Sequence, residues 1–292
     1  RPGSLAAAGS HWVPARIDLD TMLSKIDSRA VEDLIVIKGP YSALYGPGFN
    51  FVDLQLLHSP RYADAEDVTV EGASSLNYQT NGEQWYGRQT IKGGSEDWGF
   101  RIGYGHRTGN DYESGDGTEI PASYNSRDFD VALGLDLTAD SSLEFNYLRL
   151  DQTGVEFPGQ AFDLDYLVTD GYEATYTLEN QSLFDRLVID TWYNQTRFEG
   201  NAQSPAKRRQ FPSFGTLPLF LFTNVDQSST GYRIAATREL DPQTTLTAGT
   251  DLRLVRQELE ERASGLIGGS LFLNANSPIP KSHATNPGLF TE

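Results

Sequence analysis

The feature that most limits what this chain can fold into is a two-residue alternation of apolar and polar side chains, renewed in segment after segment from about Glu66 onward. In the clearest stretch Phe129, Val131, Leu133, Leu135 and Leu137 alternate with Asp128, Asp130, Ala132, Gly134 and Asp136. Successive side chains of a strand point to opposite faces, so one face here is wholly apolar and the other is acidic or small. The same pattern sets Trp98, Phe100, Ile102 and Tyr104 against Gly99, Arg101, Gly103 and Gly105. It also sets Leu246, Ala248, Leu252 and Leu254 against Thr247, Gly249, Asp251 and Arg253. Weaker versions cover 68–78, 84–92, 142–150, 172–180, 185–198 and 228–239, which makes nine candidate strands.

Most of these segments run to roughly 10 residues or more, where strands of soluble proteins average 5 or 6. That length suits a tilted membrane crossing. The connections alternate as well. Short turns fall near 93–97, 138–141, 181–184 and 240–244, and long polar loops near 108–125, 151–171 and 199–227, with only the first outer connection, around Thr80-Asn81-Gly82, brief. Short turns at one rim and long loops at the other are the habit of outer-membrane barrels. Tyr and Trp on these segments or at their ends (Trp85, Trp98, Tyr104, Tyr147, Tyr172, Tyr176, Tyr193, Tyr232) fit an interfacial belt, and ordinary β-propensity fits them too. On this pattern a membrane barrel is the first reading and a soluble sandwich or lectin-like fold the second.

Composition removes other classes. The 292 residues carry a net charge of −17, so a nucleic-acid partner is not expected; one short basic run, Lys207-Arg208-Arg209, is all that could meet phosphate. With no cysteine, disulfide frameworks and thiolate chemistry are excluded. His11, His58, His106 and His283 are scattered with no i, i+4 pair, and no nucleophile-elbow serine occurs, so neither an enzyme, a resident metal nor a cofactor is expected. No run of about 18 apolar residues exists for a membrane helix. A mean hydropathy of −0.44 does not count against a strand-built membrane protein, whose two faces average out.

Ahead of the strands the texture changes, from Ile17 to about Tyr62. Asp27-Ser28 suits the cap of a short helix over Arg29 to Asp33, and Leu34-Ile35-Val36-Ile37 suits a buried strand closed by Lys38-Gly39-Pro40. Tyr41 to Gly46 suits one helical turn ended by glycine, and Phe51 to Leu57 a further strand. Over about 16 residues, Val31 to Gly46, this segment resembles the late-plug signature of TonB-dependent receptors: a hydrophobic strand ending in KGP, here Ile37, Lys38, Gly39, Pro40, followed by Tyr41 and by the LYG turn whose Tyr45 and Gly46 are present. It departs from that pattern at Asp33 and Val36, and Gly48 to Leu57 stands where the family usually has a glycine pair and an INIVTK-like strand, the marks of a divergent member.

The resemblance implies an all-β membrane protein, part of a large antiparallel transmembrane β-barrel preceded by the C-terminal part of a plug domain. Residues 1–62 are then late plug, 63–262 about nine barrel strands, and 263–292 an incomplete outer loop of a chain expected to be a fragment. It further implies a bacterial outer-membrane receptor importing a siderophore, cobalamin or oligosaccharide with proton-gradient energy. The partners would be TonB, through a segment outside this chain, together with outer-membrane lipid and lipopolysaccharide. A passive porin-like channel and a soluble carbohydrate-binding β protein remain the alternatives. Candidate ligand contacts are Tyr112, the cations Lys207, Arg208 and Arg209, and Phe211 and Phe214 in an unusually apolar loop that either folds inward over the plug or packs on itself. The acidic loop 111–119 has oxygens for Ca²⁺ but not EF-hand spacing, and reads first as a solvated loop.

Overall fold

The computed structural model describes residues 4–6, 12–38, 50–63, 67–160, 162–210, 220–267 and 270–292. Ten strands form one antiparallel sheet in consecutive order: β4 (Thr69–Gln79), β5 (Gln84–Gly94), β6 (Trp98–Gly109), β9 (Tyr124–Thr138), β10 (Ser141–Val155), β11 (Asp163–Glu179), β12 (Arg186–Asn201), β13 (Phe220–Asp241), β14 (Thr244–Ile267) and β15 (Ser270–Thr291). Two short strands, β7 (Tyr112–Glu113) and β8 (Glu119–Ile120), make a hairpin within the β6–β9 loop.

The sheet is inside out compared with a soluble one. Leu133 and Leu135 are 46% and 44% exposed, while Asp128 and Asp130 on the other face of β9 are 2% and 4% exposed. Leu76, Ile91, Trp98, Ile102, Tyr104, Leu143, Tyr172 and Tyr193 continue the bare apolar surface over the neighbouring strands. Such an expanse, on long antiparallel strands with a polar inner face, is the pattern of a barrel wall whose outer face meets hydrocarbon. Tyr147, Tyr172 and Tyr193 face one another across β10, β11 and β12, with ring centroids 4.8 and 6.3 Å apart, as an interfacial belt does.

All nine expected strands are present, and most are longer than their alternation. Two expected loops shrink to 156–162 and 202–219. Beyond the hydrocarbon both faces of a strand are wetted, so the alternation fades while the ladder of main-chain hydrogen bonds runs on. The expected loop at 263–292 is corrected more fully, since Ser270–Thr291 pairs along β14 as a tenth strand. Pro278, Pro280 and Pro287 obscure it in the sequence. Pro278 and Pro280 fall where the register with β14 slips beside Leu259 and Ile279, and Pro287 keeps its place opposite Leu252.

Against the acidic face lies the N-terminal segment. Helix α1 (Leu19–Lys25) is capped by Asp18, which accepts from Thr21 N at 2.7 Å. A 3₁₀ turn, Ser28–Ala30, is capped by Asp27, and it replaces the helix expected over 29–33 because the strand begins early. That strand, β2 (Val31–Lys38), is antiparallel to β3 (Asn50–Leu56), and β1 (Ser4–Ala6) runs parallel to β3. Of the plug-like motif, Ile37 and Lys38 end β2, while Gly39, Pro40, Tyr41, Tyr45 and Gly46 lie outside the described residues.

Trp12, Ile17, Met22, Ile26, Leu54 and Leu56 of this segment share one apolar cluster with Leu148, Leu150, Leu164, Leu167, Phe198 and Val225 of the wall. Each such side chain, fully buried, contributes about 1.5–3 kcal/mol. Trp12 sits over Gly171 of β11, where a Cβ would come within 2.8 Å of the indole. The wall is therefore cut to receive the segment.

Candidate functional site

The polar seam between inner segment and wall starts from strand parity. Arg101, Gly103, Gly105 and Arg107 share the inner face of β6, Asp128 and Asp130 that of β9, and Arg88 that of β5. The register sets Gly103 opposite Asp130 and Gly105 opposite Asp128. A Cβ at either glycine would force the facing Asp carboxylate, and at Gly103 the Arg88 guanidinium as well, to shift. Arg88 Nη1 lies 2.8 Å from both Asp27 Oδ2 and Asp128 Oδ2, and Nη2 pairs with Asp130, which also pairs with Arg101.

Asp27 is the acid that the inner segment contributes. It accepts from the Tyr86 hydroxyl at 2.8 Å as well. Burial pulls its pKa up, but the Arg29 N–H, the Tyr86 hydroxyl and the Arg88 charge together hold it below the usual range. Two inner-segment carbonyls complete the contact. Arg101 Nη2 donates to Arg29 O at 3.1 Å and Arg107 Nη2 to Lys25 O at 2.7 Å. A lone buried ion costs several kcal/mol, so such a set holds only while both halves are present.

A second seam joins the segment's exit to the short-turn rim. Ser59 donates to Glu144 through N (2.6 Å) and Oγ (2.7 Å), and Arg61 grips Asp136 through two bonds of 3.1 Å. His58 lies 3.7 Å from Glu144 and 3.5 Å from Glu32; its hydrogen bond to Glu144 raises its pKa against the opposing pull of burial. A third contact sets Asp53 of β3 in the neighbourhood of the Arg233–Asp190 pair (2.8 Å), and burial first of all pushes the Asp53 carboxyl up.

Of the expected ligand residues, Tyr112, Lys207 and Arg208 lie among those described. Tyr112 stands at the edge of the β7–β8 hairpin, 36% exposed. Lys207, on the short helix α2 (Pro205–Gln210), is wholly buried; its ammonium lies 2.8 Å from Asp163 and donates to Phe157 O at 2.7 Å. It latches a loop to the wall and is not a free cation. Arg208 donates to Gln203 Oε1 at 2.6 Å. The side chain of Arg209, with Phe211 and Phe214, lies outside the described residues. In the acidic loop, Asp116 accepts from Ser114 Oγ at 2.5 Å and Thr118 N at 3.1 Å, and the first of these bonds leads in lowering its pKa to about 2. That is a local turn. Among the described residues no three acids or histidines converge as a metal site.

Sequence reasoning found the acidic face of β9 and the small residues of β6, and missed that they form one site with Arg88 and Asp27. Asp27 was legible only as a helix cap, a role it does fill through Arg29 N at 2.9 Å.

No family model and no curated protein matches the chain in sequence. Solved structures do match its fold. It superposes on the copper transporter OprC with a TM-score of 0.75 at 20% identity, over 99% of this chain and 44% of that one. The FrpB iron transporter from Neisseria meningitidis gives 0.62 at 12% identity, over 99% and 53%. A mutant of the ferric enterobactin receptor PfeA from Pseudomonas aeruginosa gives 0.58 at 14%, over 99% and 51%. The chain thus spans about half the length of these structures. Its ten-strand wall with an inner segment docked on the polar face is a TonB-dependent receptor-like fold, in a divergent version.

Proposed function

We propose that this chain is the late plug and adjoining barrel wall of an outer-membrane transporter that takes up a scarce solute with energy delivered through TonB. One observation carries the reading: the inner segment closes the polar face of the wall through a buried ionic seam centred on Arg88. A passive pore has no use for such a closure. An energised transporter needs a seal that is tight at rest and can be pulled apart, and a seam of ion pairs offers that, because water can replace each partner as the seam opens. The bare apolar outer face supports contact with outer-membrane lipid and lipopolysaccharide, with the long-loop rim facing outward.

The neighbours are named as transporters of copper and iron and a receptor for ferric enterobactin, which supports a scarce-nutrient cargo and, among the expected classes, the siderophore ahead of cobalamin or an oligosaccharide. The test uses the full-length protein in two assays. Planar bilayers are expected to show no steady conductance, and cells are expected to lose uptake of the bound solute when TonB is deleted. Steady conductance from the intact protein, or uptake indifferent to TonB, overturns the proposal.

A further inference from the structure

On the long-loop side of the Arg88 seam, the end of α1 and the wall bound a half-open pocket of about 260 Å³ whose lining includes Lys25, Arg107, Tyr124, Ser126, Gln152, Glu156 and Phe157. At about 30 Å³ per water it has room for on the order of nine waters, below the roughly 300–1,000 Å³ of drug-sized sites. It is a place for a small molecule.

Its charge does not balance. In the adjoining seam three guanidiniums, Arg88, Arg101 and Arg107, meet three carboxylates, Asp27, Asp128 and Asp130. Lys25 is left over. It is 7% exposed, its ammonium lies 4.9 Å over the Phe157 ring, and no ion pair joins it to a carboxylate among the described residues. Burial, and then the Arg107 charge, bring its pKa down to about 8. Arg107 is itself weakly matched, with Asp128 3.8 Å away and its buried Nε–H without an acceptor. Glu156 is turned to Ser123 Oγ at 2.7 Å, and among the described residues no ion pair joins it to Lys25 or Arg107.

A buried excess cation beside an unused guanidinium N–H calls for an anion. Gln152 narrows the class. It is 2% exposed and its Nε2 donates to Ser126 Oγ at 3.2 Å, but its Oε1 is buried without a donor. A buried acceptor left bare is costly, so the occupant should bring a donor as well as a negative charge.

We propose that the cavity binds a small hydroxycarboxylate, its carboxylate bridging Lys25 and Arg107 and its hydroxyl donating to Gln152 Oε1. The proposal needs the inner segment in place on the wall but not TonB-driven transport, and binding to the purified protein tests it without either uptake or conductance. Lactate and propionate, which differ by the hydroxyl, are titrated calorimetrically into the full-length protein in detergent near pH 7. Lactate is expected to bind about tenfold more tightly than propionate, the worth of one buried hydrogen bond. Lys25→Met should weaken lactate by tenfold or more, and Gln152→Leu should make the two acids equal. Equal binding of both acids by the unaltered protein, or no binding of either at tens of millimolar, overturns the proposal whether or not the variants fold.

Discussion

Replacing Arg88 with methionine removes the cation that three buried carboxylates share, and the three are not left alike. Asp130 keeps Arg101, and Asp27 keeps the Tyr86 hydroxyl and the Arg29 N–H. Asp128 keeps only Arg107, 3.8 Å away. Removing one member of a buried pair costs about 3–5 kcal/mol. Protonation sets a ceiling, because neutralising an ordinary aspartate at pH 7 costs about 4 kcal/mol, and at pH 5 only about 1.5. The cost falls on the closed seam, since water reaches Asp128 once the inner segment lifts. Amides of residues 27–34 are therefore expected to lose protection by roughly 10²- to 10³-fold at pH 7 and about tenfold at pH 5, read by hydrogen exchange on the full-length protein. Adding Asp128→Asn to Arg88→Met should restore most of it. Protection within tenfold of the parent at pH 7, or a loss equal at both pH values, refutes the reasoning.

Leu133→Arg puts a charge on the outer face and should destabilise the inserted barrel by about 2–4 kcal/mol, measured by denaturant unfolding in lipid; an unchanged midpoint would deny that this face meets hydrocarbon. His58, with its pKa raised chiefly by Glu144, strengthens the short-turn seam in full below about pH 6.5 and loses that contribution as pH rises through its folded pKa, so protection of residues 57–61 should fall over that window and His58→Gln should flatten the profile. Lys207→Met strips Asp163 of its cation and should loosen α2 by about 3 kcal/mol, seen as faster proteolysis between 203 and 210; cleavage at the parent rate would show that the latch carries no load.

What the sequence could disclose follows from where the physics is local. Alternation is local, so Phe129 to Leu137 declared both the strand and its two-faced setting, and nine strands could be placed. Ladder pairing is not local. Strand β15, with Pro278, Pro280 and Pro287, looks like loop until β14 lies beside it. The ionic seam was hidden for the same reason. Asp27 and Arg88 are 61 residues apart, and nothing near either one announces the other. Lys207 misled because a cation in a basic run looks solvated, whereas its partner Asp163 stands at the start of a strand that the sequence places inside a loop.

The arithmetic of the Arg88 seam has one more outcome. Closed, it sums to zero. When residues 19–30 withdraw they take the Asp27 carboxylate and the carbonyls of Lys25 and Arg29, and the wall keeps Arg88, Arg101 and Arg107 against Asp128 and Asp130. The bared band then carries one net positive charge and three guanidiniums that have just lost an acceptor. Departure of the inner segment thus turns a neutral seal into an anion-attracting strip along the passage it opens.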